Sequence, residues 1–192
     1  MAAEQQIPVF LTRGTLLELG GLDTLPRVEV LSPGVTVNIA DLYVTPFAIS
    51  HDAAEPVGFR FEAEGVSGAL ATDLGKITSE VTCHLNKCEW LVLESNHDEE
   101  LVRLGSYPWP LKQRLLSPVG HLSNSALAEF LSNDFDAQAR HIFLAHLSRN
   151  NNTPSLAMET AEDALGKRSD GKIDGIAVHL TDQMKPSIVL DL

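Results

Sequence analysis

Apolar positions along the chain fall into two textures. Up to about residue 72 they alternate with polar ones, or bunch into short runs rich in Val, Ile, Phe and Thr. Beyond residue 76, short apolar runs are separated by stretches with helical spacing. "IPVFLT" (7–12) predicts a short buried strand, and "RGTLLELGG" (13–21) a short helix closed by glycine. "RVEVLS", "VTVNIADLYVTPFAIS" and "PVGFRFEAEGVSGALATD" carry partial period-two alternation and predict strands. Glu64-Gly65 is a hairpin tip between 57–63 and 66–72.

The second texture predicts helices over about 76–87, 98–104, 110–116, 123–132 and 154–166. Buried strands are expected at "WLVLES" (90–95) and "HIFLAHLS" (141–148), with "GIAVHLT" and "SIVLDL" as closing strands. The chain has no repeat, low-complexity tract or long linker. The pattern therefore predicts one α/β domain over residues 1–192, with sheets inside and helices outside.

Chemistry gathers where the apolar runs stop. "VTPFAIS" leads to His51, "SGALAT" to Asp73, "WLVLESN" to His97 and "HIFLA" to His146. Strand ends of an α/β sheet share an edge where ligands commonly bind. Histidine with aspartate suits zinc, manganese or iron better than magnesium or calcium, which prefer all-oxygen shells. Any one such histidine is more often simply hydrogen-bonded; four strand ends carrying only His and Asp point to a metal site. In "GHLSNSALAEFLSND" (120–134), Ser123 or Asn124 can cap a helix, with His121 just before it. A helix start of this kind suits phosphate or carboxylate, although a plain cap explains it equally. Thr153 and Pro154 open the 154–166 helix as a cap and first-turn proline. "RLGSYPWPLKQRLL" (103–116) reads either as an aromatic loop plugging the core or as a stacking surface for a base, with the core reading favoured. His141 and His179 lie inside apolar strands and read as core or surface histidines.

Charge and cysteines narrow the partners. A net charge of −12 argues against a general phosphate-backbone binder but allows a nucleic acid held locally at a metal. No apolar run reaches the ~18–20 residues of a membrane span. "MAAEQQIPVFLTRG" lacks a basic stretch followed by an apolar core, so a cytoplasmic setting is expected. Cys83 and Cys88 lack the second ligand pair of a structural zinc site and read as reduced thiols.

The segments "SHDAAEPVGF", "ATDLG", "LVLESNHD", "YPWPLKQR", "GHLSN" and "LAHLSRNNNTPSLA" occur in this order from about residue 7 onward. In this series the chain resembles the metallo-β-lactamase-fold hydrolase superfamily, and within it the small WalJ/YycJ-like bacterial branch. The resemblance implies an αββα sandwich and two divalent ions, zinc or manganese, at one edge. It implies hydrolysis of a phosphodiester, in a nucleic acid or a phosphate-containing small molecule. His51 and His146 match histidine ligands of the two metals, and Asp73 the aspartate that bridges them. His97 matches a histidine near the site, a candidate acid or contact to the scissile group. His121, Ser123 and Asn124 match a phosphate-binding element.

The superfamily signature His-x-His-x-Asp-His is absent from this sequence. By the resemblance it would precede "IPVFLTRGT", so the chain reads as incomplete at its N-terminus, with weakened activity and an exposed sheet face prone to self-association. The alternative is a non-catalytic remnant or assembly subunit.

Overall fold

A computed structural model of the chain describes residues 7–20, 27–169, 171 and 173–190. Its strands are β1 (Val9–Thr12), β2 (Val28–Leu31), β3 (Val37–Ile39), β4 (Leu42–Ala48), β5 (Val57–Ala63), β6 (Val66–Ala71), β7 (Trp90–Glu94), β8 (His141–Ala145) and β9 (Ala177–Leu180). The helices are α1 (Arg13–Glu18), α2 (Ser79–Leu85), α3 (Glu99–Leu104), α4 (Trp109–Leu115), α5 (Asn124–Asn133) and α6 (Pro154–Gly166). Among the described residues, β3 to β9 form one seven-stranded sheet in sequence order, and β1 pairs with β2 in a separate parallel pair. Of the expected sandwich, the second sheet is thus represented by two strands.

Local chemistry sets most boundaries. Glu64 (φ 51) and Gly65 (φ 86) both take the left-handed conformation that a tight two-residue hairpin needs, which fixes the register of β5 against β6. The side chains of Thr78, Asp98, Ser123 and Thr153 each accept a first-turn N–H and start α2, α3, α5 and α6. Thr78 begins α2 later than the expected residue 76 for this reason. Strand β8 ends at Ala145, short of the expected 148, because His146 turns left-handed (φ 58).

From β3 to β6 neighbouring strands are antiparallel and joined by turns; from β6 to β9 they are parallel, and each connection passes through helix. Those helices cover one face. Ala69, Ala71, Leu91, Leu93, Ile142 and Leu144 point from the sheet into a core shared with Val81, Leu127, Phe130, Leu131, Ala157 and Ala161. Each fully buried leucine or phenylalanine there stabilises by roughly 1.5–3 kcal/mol. Arg60 reaches toward the same face and donates to the carbonyls of His84, Asn86 and Lys87 at the end of α2.

The opposite face carries the alternate residues Phe59, Phe61, Leu70, Trp90 and Val92, all only half-buried. Phe61 stacks on Trp90 at 5.8 Å. Trp90 in turn lies over Gly68, where a Cβ would come within 1.9 Å of the indole.

Two expectations fail. "SIVLDL" forms no strand over residues 187–190, and 191–192 lie outside the described residues. The 103–116 segment does not plug the core: Trp109 is 64% exposed at the start of α4, and Tyr107 accepts a hydrogen bond from Asn150. The prolines of "YPWP" start a surface helix and turn the indole outward.

Candidate metal centre

Both β4 and β6 run antiparallel to β5, and β6, β7 and β8 are mutually parallel. The C-terminal ends of β4, β6, β7 and β8 therefore share one edge. His51 lies three residues beyond β4, Asp73 two beyond β6, Glu94 closes β7, and His146 follows β8. His121 reaches the same edge from the loop between α4 and α5.

Asp73 is the hub. Its Oδ1 lies 3.8 Å from His51 Nε2, 3.6 Å from His121 Nδ1 and 3.7 Å from His146 Nδ1. Ligand atoms around a tetrahedral zinc stand about 3.3–3.4 Å apart, given bonds of about 2.0–2.1 Å. The spacing is thus close to what an ion would draw together. Asp73 adopts φ 57, a conformation that aspartate tolerates better than most residues.

Glu94 lies beneath, with no exposed surface. Its Oε1 sits 2.7 Å from His121 Nδ1 and 2.8 Å from His146 Nδ1, and its Oε2 accepts the Leu74 N–H at 2.8 Å. Burial pushes the Glu94 carboxyl up, but the hydrogen bonds of His121, His146 and Leu74 outweigh it and hold the pKa below the ordinary value. The same bond to Glu94 raises the pKa of His146. Asp73, Glu94, His121 and His146 each offer a ligand atom, all within 4.8 Å of one another. His51 is fixed separately: its Nδ1 donates to the Gly120 carbonyl at 3.0 Å, which leaves the Nε2 lone pair toward Asp73. Imidazoles with carboxylates, one carboxylate fully buried, form a donor set suited to zinc or manganese.

The structure brings together His51, Asp73 and His146 from the expected set. It also moves His121 from an expected substrate contact into the cluster itself. His97 is 1% exposed beside it, with no partner for either ring nitrogen. Burial lowers its pKa, so the ring is neutral. Ser123 caps α5 and donates to Glu99 at 3.3 Å. Asn124 is placed differently from the expectation. It is 3% exposed, accepts from Ser95 at 2.8 Å and donates to Asn152 at 3.0 Å. Its amide braces the buried loops and offers no open contact for substrate. Glu94 was not singled out from the sequence. Its only signal is an acid closing the apolar run "WLVLE".

On the rim, Arg114 of α4 pairs with Asp52. The guanidinium holds the Asp52 carboxyl down to about 2.

No family model matches the chain. It is 33% identical over 190 residues to a Bacillus anthracis protein named exodeoxyribonuclease YycJ, a match covering 97% of this chain and 72% of that one. The chain belongs to the YycJ/WalJ family. A Streptococcus pneumoniae relative named exodeoxyribonuclease WalJ is 35% identical over 153 residues, 80% of this chain and 56% of its own length. Two solved structures give the fold. YhfI of Bacillus subtilis, a metallo-β-lactamase-fold protein, superposes with a TM-score of 0.65 at 11% identity, over 91% of this chain and 61% of its own. Zinc-bound PqqB of Methylobacterium extorquens gives 0.60 at 17% identity, over 96% and 62%. This YycJ/WalJ chain thus has a metallo-β-lactamase fold, as the sequence resemblance implied. No described helix is long and apolar enough to cross a membrane.

Proposed function

We propose that this chain is a metal-dependent hydrolase that cleaves phosphodiester bonds of DNA. One observation carries the reading: three imidazoles from separate loops lie within 3.6–3.8 Å of a single Asp73 oxygen. The names of the YycJ and WalJ relatives support DNA as the substrate.

In this reading His51, Asp73, His121 and His146 would hold divalent metal, zinc or manganese. Such an ion polarises a phosphoryl oxygen and brings the pKa of water toward neutrality. Without an ion, the Nδ1–H groups of His121 and His146 rest on Glu94; an ion would replace those protons, with Glu94 offering a further ligand atom and buried negative charge beside it. His97, neutral and enclosed, serves as an N–H contact to the phosphate. With a net charge of −12, the chain engages DNA locally at this edge rather than along a basic surface. The half-buried aromatic face is the natural place for self-association, and a cytoplasmic setting belongs to the same proposal.

The test is metal content by mass spectrometry, with hydrolysis of end-labelled single-stranded DNA before and after chelation. Retained zinc or manganese with chelator-sensitive cleavage is expected. A chain that keeps no metal and cuts no DNA when either ion is supplied overturns the reading. It would favour the non-catalytic alternative.

A further inference from the structure

Helix α4 is tied to the histidine cluster at one end and to the loop after β8 at the other. Its last residue, Leu115, accepts the His121 N–H at 3.2 Å, and Arg114 pairs with Asp52, the neighbour of His51. At mid-helix Lys112 is buried and donates to the Arg103 carbonyl at 2.6 Å. Just ahead of the helix, the Tyr107 hydroxyl accepts from Asn150 at 2.7 Å, in the loop that begins with His146. The helix is therefore fixed relative to the cluster, and Trp109 is its first residue.

Trp109 is 64% exposed and stands between Pro108 and Pro110. Proline fixes φ near −65°, so the backbone carrying the indole has little freedom left to lose when the ring is covered. The other tryptophan, Trp90, is stacked on Phe61 and half-buried on the sheet. From Trp109 to Leu115 the helix rises about 9 Å, at about 1.5 Å per residue. That is two to three base steps at about 3.4 Å each. Gln113, one turn on from Trp109 and on the same side of the helix, is exposed, as is Arg149 beside Asn150. A rigid indole with an amide and a cation nearby suits an unpaired nucleobase, whose flat face stacks on aromatic rings whatever its sequence. We propose that Trp109 is a stacking platform for a base of single-stranded DNA lying close to the bond being cut. Bases inside a duplex have both faces covered by their neighbours, so the platform selects single strands. The inference rests on the nuclease reading for its ligand, but stacking can be tested without cleavage.

The experiment follows tryptophan fluorescence of the full chain titrated with oligothymidylate in chelator, and the anisotropy of a labelled oligonucleotide. Stacking should quench Trp109 emission over the background of Trp90. Trp109→Ala should lose that quenching and bind the strand about 5–150-fold more weakly, the loss of one base–aromatic stack. Trp109→Tyr should restore most of the affinity. With metal supplied, Trp109→Ala should raise the KM for single-stranded DNA by a similar factor. No quenching in chelator together with an unchanged KM in metal overturns the proposal. So does equal weakening by Trp109→Ala for duplex DNA or for an abasic strand of the same length, which would place the effect on the backbone. A change in sedimentation on Trp109→Ala, with DNA binding unaltered, assigns the ring to a second copy of the chain and also overturns it. Quenching by oligothymidylate in a chain that cuts no DNA with any ion supports the platform and overturns the nuclease reading alone.

Discussion

Two histidine pairs, one in loops at the sheet's edge and one on β8 and β9, behave in opposite ways. His121 and His146 stand at the sheet's edge with ring centroids 5.1 Å apart, and His141 and His179 stand on β8 and β9 with centroids 5.3 Å apart. The edge pair shares the buried Glu94 carboxylate. Among the described residues the strand pair bonds to itself, Nδ1 to Nε2 at 3.1 Å, with Phe143 packed on His179 at 4.8 Å. Glu94 raises the pKa of His146; burial, and then the charge of His141, lowers that of His179. Ring spacing is therefore no guide to chemistry. A residue inside a strand meets its sheet neighbours, which are apolar here. A residue past the strand end meets whatever the converging loops bring, which here is acid.

The comparison is most directly broken at Asp73. Asp73→Asn keeps a residue that tolerates positive φ but removes the charge. Metal-dependent DNA cleavage should fall by more than about 10²-fold, beyond the loss typical of an outer hydrogen-bond partner. Cleavage assays across a metal titration check this, and near-normal turnover would remove Asp73 from the centre.

Glu94→Gln tests what the strand pair lacks. Metal affinity should fall about 10–100-fold, and stability by about 1–3 kcal/mol as buried hydrogen bonds are weakened. Equilibrium dialysis and urea unfolding read the two effects separately.

Acid-dependence sharpens the contrast in chelator-treated protein. With its pKa raised, His146 contributes stability fully present below the ordinary 6.5 and lost as pH rises through the folded value. With its pKa lowered, His179 contributes stability fully present above 6.5 and lost as pH falls toward the folded value. Replacing His146 by Gln should therefore cost more at pH 5.5 than at pH 8, by thermal unfolding (roughly one pH unit either side of histidine's titration range). His179→Gln should reduce the acid sensitivity instead. Parallel pH profiles for the two variants would erase the distinction.

The smallest effect is expected from His179→Phe, which keeps the contact with Phe143. Stability should change by about 0.5 kcal/mol or less, with metal content unaltered. Metal loss in this variant would mean the strand pair communicates with the edge.

Local signals made much of the architecture legible. Thr153 and Pro154 set the start of α6, and Glu64-Gly65 set the hairpin between β5 and β6. His51, Asp73 and His146 stood out because each interrupts or follows an apolar run with a group that binds metals. Other features misled. The apolar "SIVLDL" resembled a strand, yet residues 187–190 take up no strand pairing, and composition does not report whether an apolar run finds a partner. Glu94 passed as the polar end of a buried strand because nothing nearby in sequence marks its partners; His121 is 27 residues away and His146 is 52.

By itself the sequence determined the elements: period-two and helical spacing, capping residues and turn residues act over a few positions, and their energies are local. It also determined that reactive side chains follow strand ends. Which of those ends would meet was decided only by strand order and direction. The antiparallel step at β5 and the parallel run from β6 to β8 put four termini on one edge and left His141 and His179 on β8 and β9, away from it. That choice is made by non-local burial of one sheet face under α2, α5 and α6, and no window of sequence contains it.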